Sequence, residues 1–162
     1  MKHRKQVGFS LIELVIVITI LGIVTVTAAP KFLNISSDAR VAVLNGIAGS
    51  IKTINTIVNT KAIIQAVPDT GDDKNRTIAT NLGPVDTWYK YPESVAENGK
   101  GLGIAELIEL EGHNINIFNE DKSNAQCYSI KMGYNETTYY VKYTEACSTT
   151  VPAKVETVSS QC

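Results

Sequence analysis

From Phe9 to Ala29 the chain runs through 21 residues with a single charge, Glu13. Leu, Ile and Val dominate this run, and Ser10, Thr19, Thr25 and Thr27 supply hydroxyls that can bond back to a helix backbone. A helix of that length spans roughly 30 Å, the thickness of a bilayer core, so the pattern predicts a transmembrane helix. After Pro30 the pattern turns amphipathic. Ile35, Ala39, Val43, Ile47, Ile51, Ile54, Val58 and Ala62 recur at three- and four-residue steps, with Asp38, Arg40, Asn45, Lys52, Asn55 and Asn59 between them. This predicts a helix to about Gln65, ended by Val67-Pro68-Asp69-Thr70-Gly71, with its apolar stripe facing a sheet.

Residues 66–103 read as loop, with Pro68, Gly71, Pro84, Pro92, Asn98-Gly99 and Gly101-Leu102-Gly103. Trp88, Tyr89 and Tyr91 cluster there, either as anchors of the loop on the core or as a carbohydrate-facing patch. Ile104–Glu109 reads as a short helix. Asn114–Phe118, Gln126–Met132 and Thr138–Thr144 read as strands, the last two flanking a hairpin turn at Gly133-Tyr134-Asn135-Glu136-Thr137, with a weaker strand at Ala153–Val158. The expected fold class is α+β: a long N-terminal α-helix packed on one antiparallel β-sheet.

The stub before the apolar run carries Lys2, Arg4 and Lys5 and no acid, which places it in the cytoplasm and the rest of the chain across the membrane. A secretory signal peptide has a shorter apolar run and no use for Glu13. A plain anchor leaves Glu13 unexplained too, since an ionisable group inside a bilayer costs about 2.5 kcal/mol or more. Whole-chain composition adds little: 15 Lys+Arg against 16 Asp+Glu gives a net charge of −1 and no case for nucleic-acid binding.

The order basic stub, Gly8, Phe9, Ser10, Leu11, Ile12, Glu13, apolar run resembles the type IV pilin precursors, in the short-leader type IVa subclass. The resemblance implies a leader at 1–8 removed by a prepilin peptidase, an assembly helix at 9–30 and an α+β pilin head at 31–162. It implies cleavage between Gly8 and Phe9, N-methylation of Phe9, and an assembly role for Glu13. Gly22 and Pro30 match positions where helices of this family loosen in the fibre. Ser10 departs from the Thr of many members. Ala28-Ala29-Pro30-Lys31-Phe32-Leu33-Asn34, with Ser37-Asp38-Ala39-Arg40, looks most like the mannose-sensitive haemagglutinin (MSHA) pilins; after residue 40 that likeness fades to a weak echo at Tyr143-Thr144-Glu145-Ala146 and the final cysteine.

The chemistry fits the motif. Cleavage leaves an amine on Phe9, and Glu13 lies one turn on, able to pair with its own amine or a neighbour's. Two unit charges ~4 Å apart at an effective dielectric of 20 attract by roughly 4 kcal/mol. The rival role is a Glu that merely complements the helix dipole. Pro30 removes a backbone donor, and Gly22 costs roughly 1 kcal/mol of helix propensity, so Gly22 to Pro30 is a weak stretch, a kink or an extensible segment.

Beyond a membrane, in an oxidising compartment, a disulfide is expected. Cys127 and Cys147 sit at the open ends of the hairpin strands, and their bridge is worth roughly 3 kcal/mol in the chain-entropy model. The family resemblance, with a strand cysteine bonded to one near the C-terminus, keeps Cys162 as the alternative partner, and one thiol is left over. There is no catalytic constellation, no phosphate loop and no paired His; His3 and His113 stand apart. Asp69, Asp72 and Asp73, and Asn119-Glu120-Asp121, read as solvated turns rather than calcium loops. Glycosylation patterns occur at Asn34, Asn75 and Asn135.

Together these features describe a non-enzymatic subunit without cofactor or metal, held in the inner membrane with its head in the periplasm, then polymerised into an extracellular pilus for attachment. Its partners are itself, the prepilin peptidase/methyltransferase and an inner-membrane assembly platform. Removal of residues 1–8 leaves a net charge of −4, which argues against direct DNA binding and a DNA-uptake role. The alternative within the class is a pseudopilin of a type II secretion system, and outside it a membrane-tethered enzyme.

Overall fold

The computed structural model describes residues 9–69, 76–95, 101–110, 114–118, 120–123 and 127–160. The chain divides into two compact units, Met1–Ala39 and Arg40–Cys162. One helix, α1 (Leu11–Ile64), contributes to both.

In the first unit α1 is apolar on all sides. The thirteen large apolar side chains from Phe9 to Val26 are each 46–84% exposed. The helix is long and apolar enough to cross a membrane, and none of its most apolar window is buried. Its threonine hydroxyls are satisfied internally. Thr19 donates to the Val15 carbonyl at 2.7 Å, Thr25 to Leu21 at 2.7 Å, and Thr27 to Val24 at 2.9 Å. Pro30 lies inside the helix, which is α-helical on both sides of it.

In the second unit α1 buries a stripe. Leu44, Ile47, Ala48 and Ile51 pack into one core cluster with Ile130, Met132, Tyr139, Val141 and Tyr143. Val58 and Ala62 form a second cluster with Ile78 and Val85. Ile47, Ile51, Val58 and Ala62 belong to the stripe expected from sequence, whereas Ile35 is 59% exposed and lies in the first unit. The helix stops at Ile64 in a Schellman arrangement. Val67 N–H donates to the Ala62 carbonyl at 2.9 Å and Ala66 N–H to Ile63 at 3.1 Å, while Ala66 takes φ 52°.

The head holds two antiparallel sheets where one was expected. The first has three strands in the order β1 (Thr77–Thr80), β2 (Gly83–Trp88), β3 (Tyr91–Pro92). These lie in the region that reads as loop, because Pro84 and Pro92 interrupt the run and no alternation extends beyond a few residues. The Trp88–Tyr91 pair closes a two-residue hairpin through Tyr89 (φ 49°) and Lys90 (φ 67°), a left-handed turn that its residue types do not announce. After α2 (Ile104–Leu107), the second sheet runs β4 (Asn116–Ile117), β5 (Ser129–Gly133), β6 (Tyr139–Thr144), β7 (Lys154–Ser159), in chain order. Ile130 faces Tyr143 and Met132 faces Val141 across β5 and β6, so the period-2 alternation lines one core face.

The β5–β6 turn is stapled by one side chain. Asn135 Oδ1 accepts from the backbone N–H groups of Thr137, Thr138 and Tyr139 and from the Thr138 hydroxyl. Gly133 allows the close approach that begins this turn: a Cβ there would lie 2.2 Å from the Tyr139 carbonyl oxygen.

Candidate functional site

The N-terminal segment is built around the start of α1. Ser10 precedes the first helical residue and Glu13 stands three residues later, a Ser-x-x-Glu spacing. Glu13 Oε2 accepts the Ser10 backbone N–H at 2.9 Å, and Leu14 N–H donates to the Ser10 carbonyl at 3.3 Å. Glu13 therefore satisfies one of the donors that every helix start leaves unpaired, half of a capping box. The spacing Ser10-Leu11-Ile12-Glu13 carries the signal for this local role, which the choice between helix dipole and inter-subunit pairing overlooks. A carboxylate offers about four lone-pair positions, so one backbone bond leaves most of its acceptor capacity for a cation. Phe9 directly precedes this turn and is 84% exposed. Residues 1–8, among them Lys2, Arg4, Lys5 and Gly8, lie outside the described residues.

Gly22 meets no atom within 4 Å of where a Cβ would stand. Among the described residues no contact explains a glycine there. Pro30 leaves the Val26 carbonyl without the N–H that an ordinary residue at 30 would donate. The stretch between them remains helical in the isolated chain.

In the head, Cys127 is bonded to Cys147, with Cα atoms 4.7 Å apart, closing the β5–β6 hairpin at its open end. Cys162, the alternative partner, lies outside the described residues. Beside the bridge sits Glu145, 5% exposed. Its Oε1 accepts the Ser94 backbone N–H at 2.6 Å and its Oε2 that of Tyr128 at 3.2 Å. The Ser94 hydroxyl donates to Glu120, which also pairs with Lys122 at 2.9 Å. Burial pushes the Glu145 carboxyl above its ordinary value of 4.5, against the two backbone donors that pull it down. Tyr143, two residues earlier, is fully buried and donates its hydroxyl to the Pro92 carbonyl at 2.5 Å. Burial raises its phenol well above the usual range. Tyr143 thus fastens the end of β3, and Glu145 the segment just after it, to the second sheet. In the sequence Glu145 belongs only to a short family echo and carries no role. A charged residue directly after a half-apolar strand gives no periodic signal of its burial.

The Trp88–Tyr89–Tyr91 cluster is half-buried, with Trp88 and Tyr89 edge to face at 5.8 Å. Among the described residues no group of three His, Cys, Asp or Glu side chains converges as a metal site. Asp69 is paired with Lys90 at 3.3 Å. Asp72, Asp73, Asn119 and His113 lie outside the described residues.

No solved structure matches the chain. A family model described as the prokaryotic N-terminal methylation motif matches residues 3–29, which takes in Arg4 and Lys5 of the basic stub, the Gly8–Phe9 junction, Glu13 and the apolar half of α1. With a long N-terminal helix followed by antiparallel β-sheets, the chain has an α+β, type IV pilin-like architecture, and the match supports a type IV pilin-like precursor.

Proposed function

We propose that this chain is the precursor of a structural subunit of a type IV pilus, cut between Gly8 and Phe9, methylated on Phe9, and polymerised through the apolar half of α1 into a surface attachment fibre. The observation that carries this reading is the thirteen exposed apolar side chains of Phe9–Val26, with one carboxylate a turn from the start, inside a methylation motif. Each such side chain is worth roughly 1.5–3 kcal/mol when removed from water. A bilayer supplies that burial before assembly and neighbouring helices supply it afterwards. The partners in this reading are other copies of the chain, a prepilin peptidase/methyltransferase and an inner-membrane assembly platform. The head faces the periplasm first and the exterior once in the fibre. The protein has no catalytic role of its own.

Glu13 sets the register. Its carboxylate already holds the Ser10 N–H, and an arriving Phe9 amine from a neighbour completes its coordination inside the apolar bundle. Gly22 and Pro30 are the places where the helix yields as subunits pack. The cysteine pair and the match at Ala28–Phe32 favour a mannose-sensitive haemagglutinin pilin over a pseudopilin of type II secretion.

Three measurements test the reading. Mass spectrometry of the mature protein is expected to find N-methyl-Phe9 at the N-terminus; a mature chain beginning at Met1 or Pro30 overturns it. Glu13→Gln keeps an acceptor for the Ser10 N–H, so the helix start survives and only the charge is lost. Surface fibres should fall by more than about tenfold while processing continues, since several kcal/mol are lost at each subunit contact. A normal fibre count at equal pools of processed subunit removes Glu13 from the assembly. Electron microscopy of the sheared surface fraction separates the two fibre readings: a pilin appears there in long fibres, a pseudopilin does not.

A further inference from the structure

The head has two cores of unequal size. Among the described residues, ten buried side chains, from Leu44 to Tyr143, join α1 to α2 and the second sheet. Only four, Val58 and Ala62 of α1 with Ile78 of β1 and Val85 of β2, make the core beneath the first sheet. That small core is also incompletely packed. An apolar groove of about 220 Å3 lies between Ile57 and Val58 on the helix and Leu82 and Val85 on the β1–β2 hairpin. Side chains that line a gap forgo the contacts that hold packed elements together. The polar ties across this contact are long for hydrogen bonds. Gln65 Oε1 accepts the Ala79 N–H at 3.2 Å and its Nε2 donates to the Ala79 carbonyl at 3.4 Å. Asn59 Nδ2 donates to the Lys90 carbonyl at 3.4 Å.

The boundary between the two cores is sharp. On α1 it falls at Asn55, which is 7% exposed and interrupts the apolar stripe with an Oδ1 that has no partner among the described residues. On the strand side it falls just past β2. Pro92 and Ser94 are fully buried. The Tyr143 hydroxyl holds the Pro92 carbonyl and Glu145 holds the Ser94 N–H, a clamp on the second sheet. Ile104 and Ala105 donate their N–H groups to the Glu93 and Ser94 carbonyls at 2.8 and 3.0 Å, so α2 shares the clamp. β2 touches this body through backbone bonds alone: Leu102 N–H to the Pro84 carbonyl, Asp86 N–H to that of Leu102, and Glu93 N–H to that of Asp86. We propose that β1 and β2 form a lid that opens from the end of α1 as one unit, while the second sheet, α2 and the Pro92–Ser94 clamp stay closed. A two-stranded hairpin off its support is marginal in water, so its ladder breaks as it lifts, and Val58 and Ala62 are uncovered. Openings of this kind arise where buried apolar contacts are few. The lid is independent of how the chain assembles.

The test is native-state hydrogen exchange of the full chain in micelles, followed amide by amide by NMR. After correction for intrinsic rates, the amides of β1, β2 and Leu102 should exchange at least about tenfold faster than those of Ile104, Ala105, β5 and β6. Leu102 and Ile104 stand two residues apart and fall on opposite sides of the boundary. Val141→Ala, in the large core, should speed the second set by about tenfold or more and leave the lid amides unchanged. Tyr143→Phe removes only the hydroxyl that holds Pro92. It should speed the second set about two- to tenfold and again leave the lid amides unchanged, because the clamp stays closed when the lid opens. Should Val141→Ala fail to fold, urea applied to the unsubstituted chain makes the same distinction: opening the lid exposes less surface than unfolding the head, so the lid amides should show the smaller urea slope. One common rate and slope for both sets, or acceleration of the lid amides by either substitution, overturns the proposal.

Discussion

The two halves of α1 use similar residues to opposite ends. Leu14 and Leu44 stand on the same helix, one 58% exposed and the other fully buried. The head half interleaves Asn45, Lys52 and Asn59 with its apolar positions, so one stripe is buried against the strands and the rest meets water. The other half has no polar face, and among the described residues its large apolar side chains stay 46–84% exposed. The head's helical stability comes from packing inside the chain. The large apolar side chains of Phe9–Val26 gain no such burial among the described residues.

The sharpest way to break this comparison is to truncate both leucines. Leu44→Ala should cost the head about 2.7–5 kcal/mol, the range for large-to-small changes in a packed core. Leu14→Ala should change head stability by no more than about 0.5 kcal/mol. Urea unfolding of the full chain in micelles, followed by Trp88 fluorescence, reads both. Equal effects would mean that the exposed half supports the head after all.

Opening the disulfide should have the next largest effect. Cys127→Ser with Cys147→Ser frees a loop of 20 residues' separation. The head should lose roughly 3 kcal/mol, with the apolar half of α1 unaffected by circular dichroism. A loss below about 1 kcal/mol would show that β5 and β6 pair just as tightly in the open chain.

A third effect depends on pH and belongs to the head alone. Glu145 has its folded carboxyl raised above the ordinary 4.5 by burial. Over the interval between those two values the folded state holds a proton that the unfolded state has released. Head stability therefore declines as pH climbs from about 4.5 through the raised value, then levels once both states are ionised. The lowered carboxyls work in the other direction and at lower pH. Asp121 is held down by hydrogen bonds from Ser123 and Glu156 by Lys154, and both lose their partners' help as pH falls. Glu145→Gln should flatten the upper limb of the stability profile and leave the acid limb in place; an unchanged upper limb would mean that another group titrates there.

The smallest expected change tests the helix end. Ala66 holds φ 52°, where its Cβ is crowded and glycine is not. Ala66→Gly should raise head stability by about 0.5–1 kcal/mol in the same unfolding experiment.

What the sequence by itself determined is what local spacing can carry. The methylation motif occupies a short stretch of chain, so Gly8, Phe9 and Glu13 stand out in order, and a run of 21 residues with the single charge of Glu13 announces its own length. The β5–β6 hairpin was legible because Tyr139, Val141 and Tyr143 alternate with polar residues through β6, and Cys127 and Cys147 followed from that hairpin. What only the tertiary structure decided depends on contacts between distant segments. The three-stranded sheet hides behind Pro84, Pro92 and a left-handed Tyr89-Lys90 turn, none of which advertises pairing. Glu145 reads as a surface acid until Ser94, 51 residues away, bonds to it. Asn55 reads as one more polar residue between stripe positions, yet it stands a turn from Ile51 and from Val58 on the face the fold buries and is 7% exposed. Periodicity ranks faces of an element by their average polarity. It cannot tell which single polar atom the rest of the fold will close over.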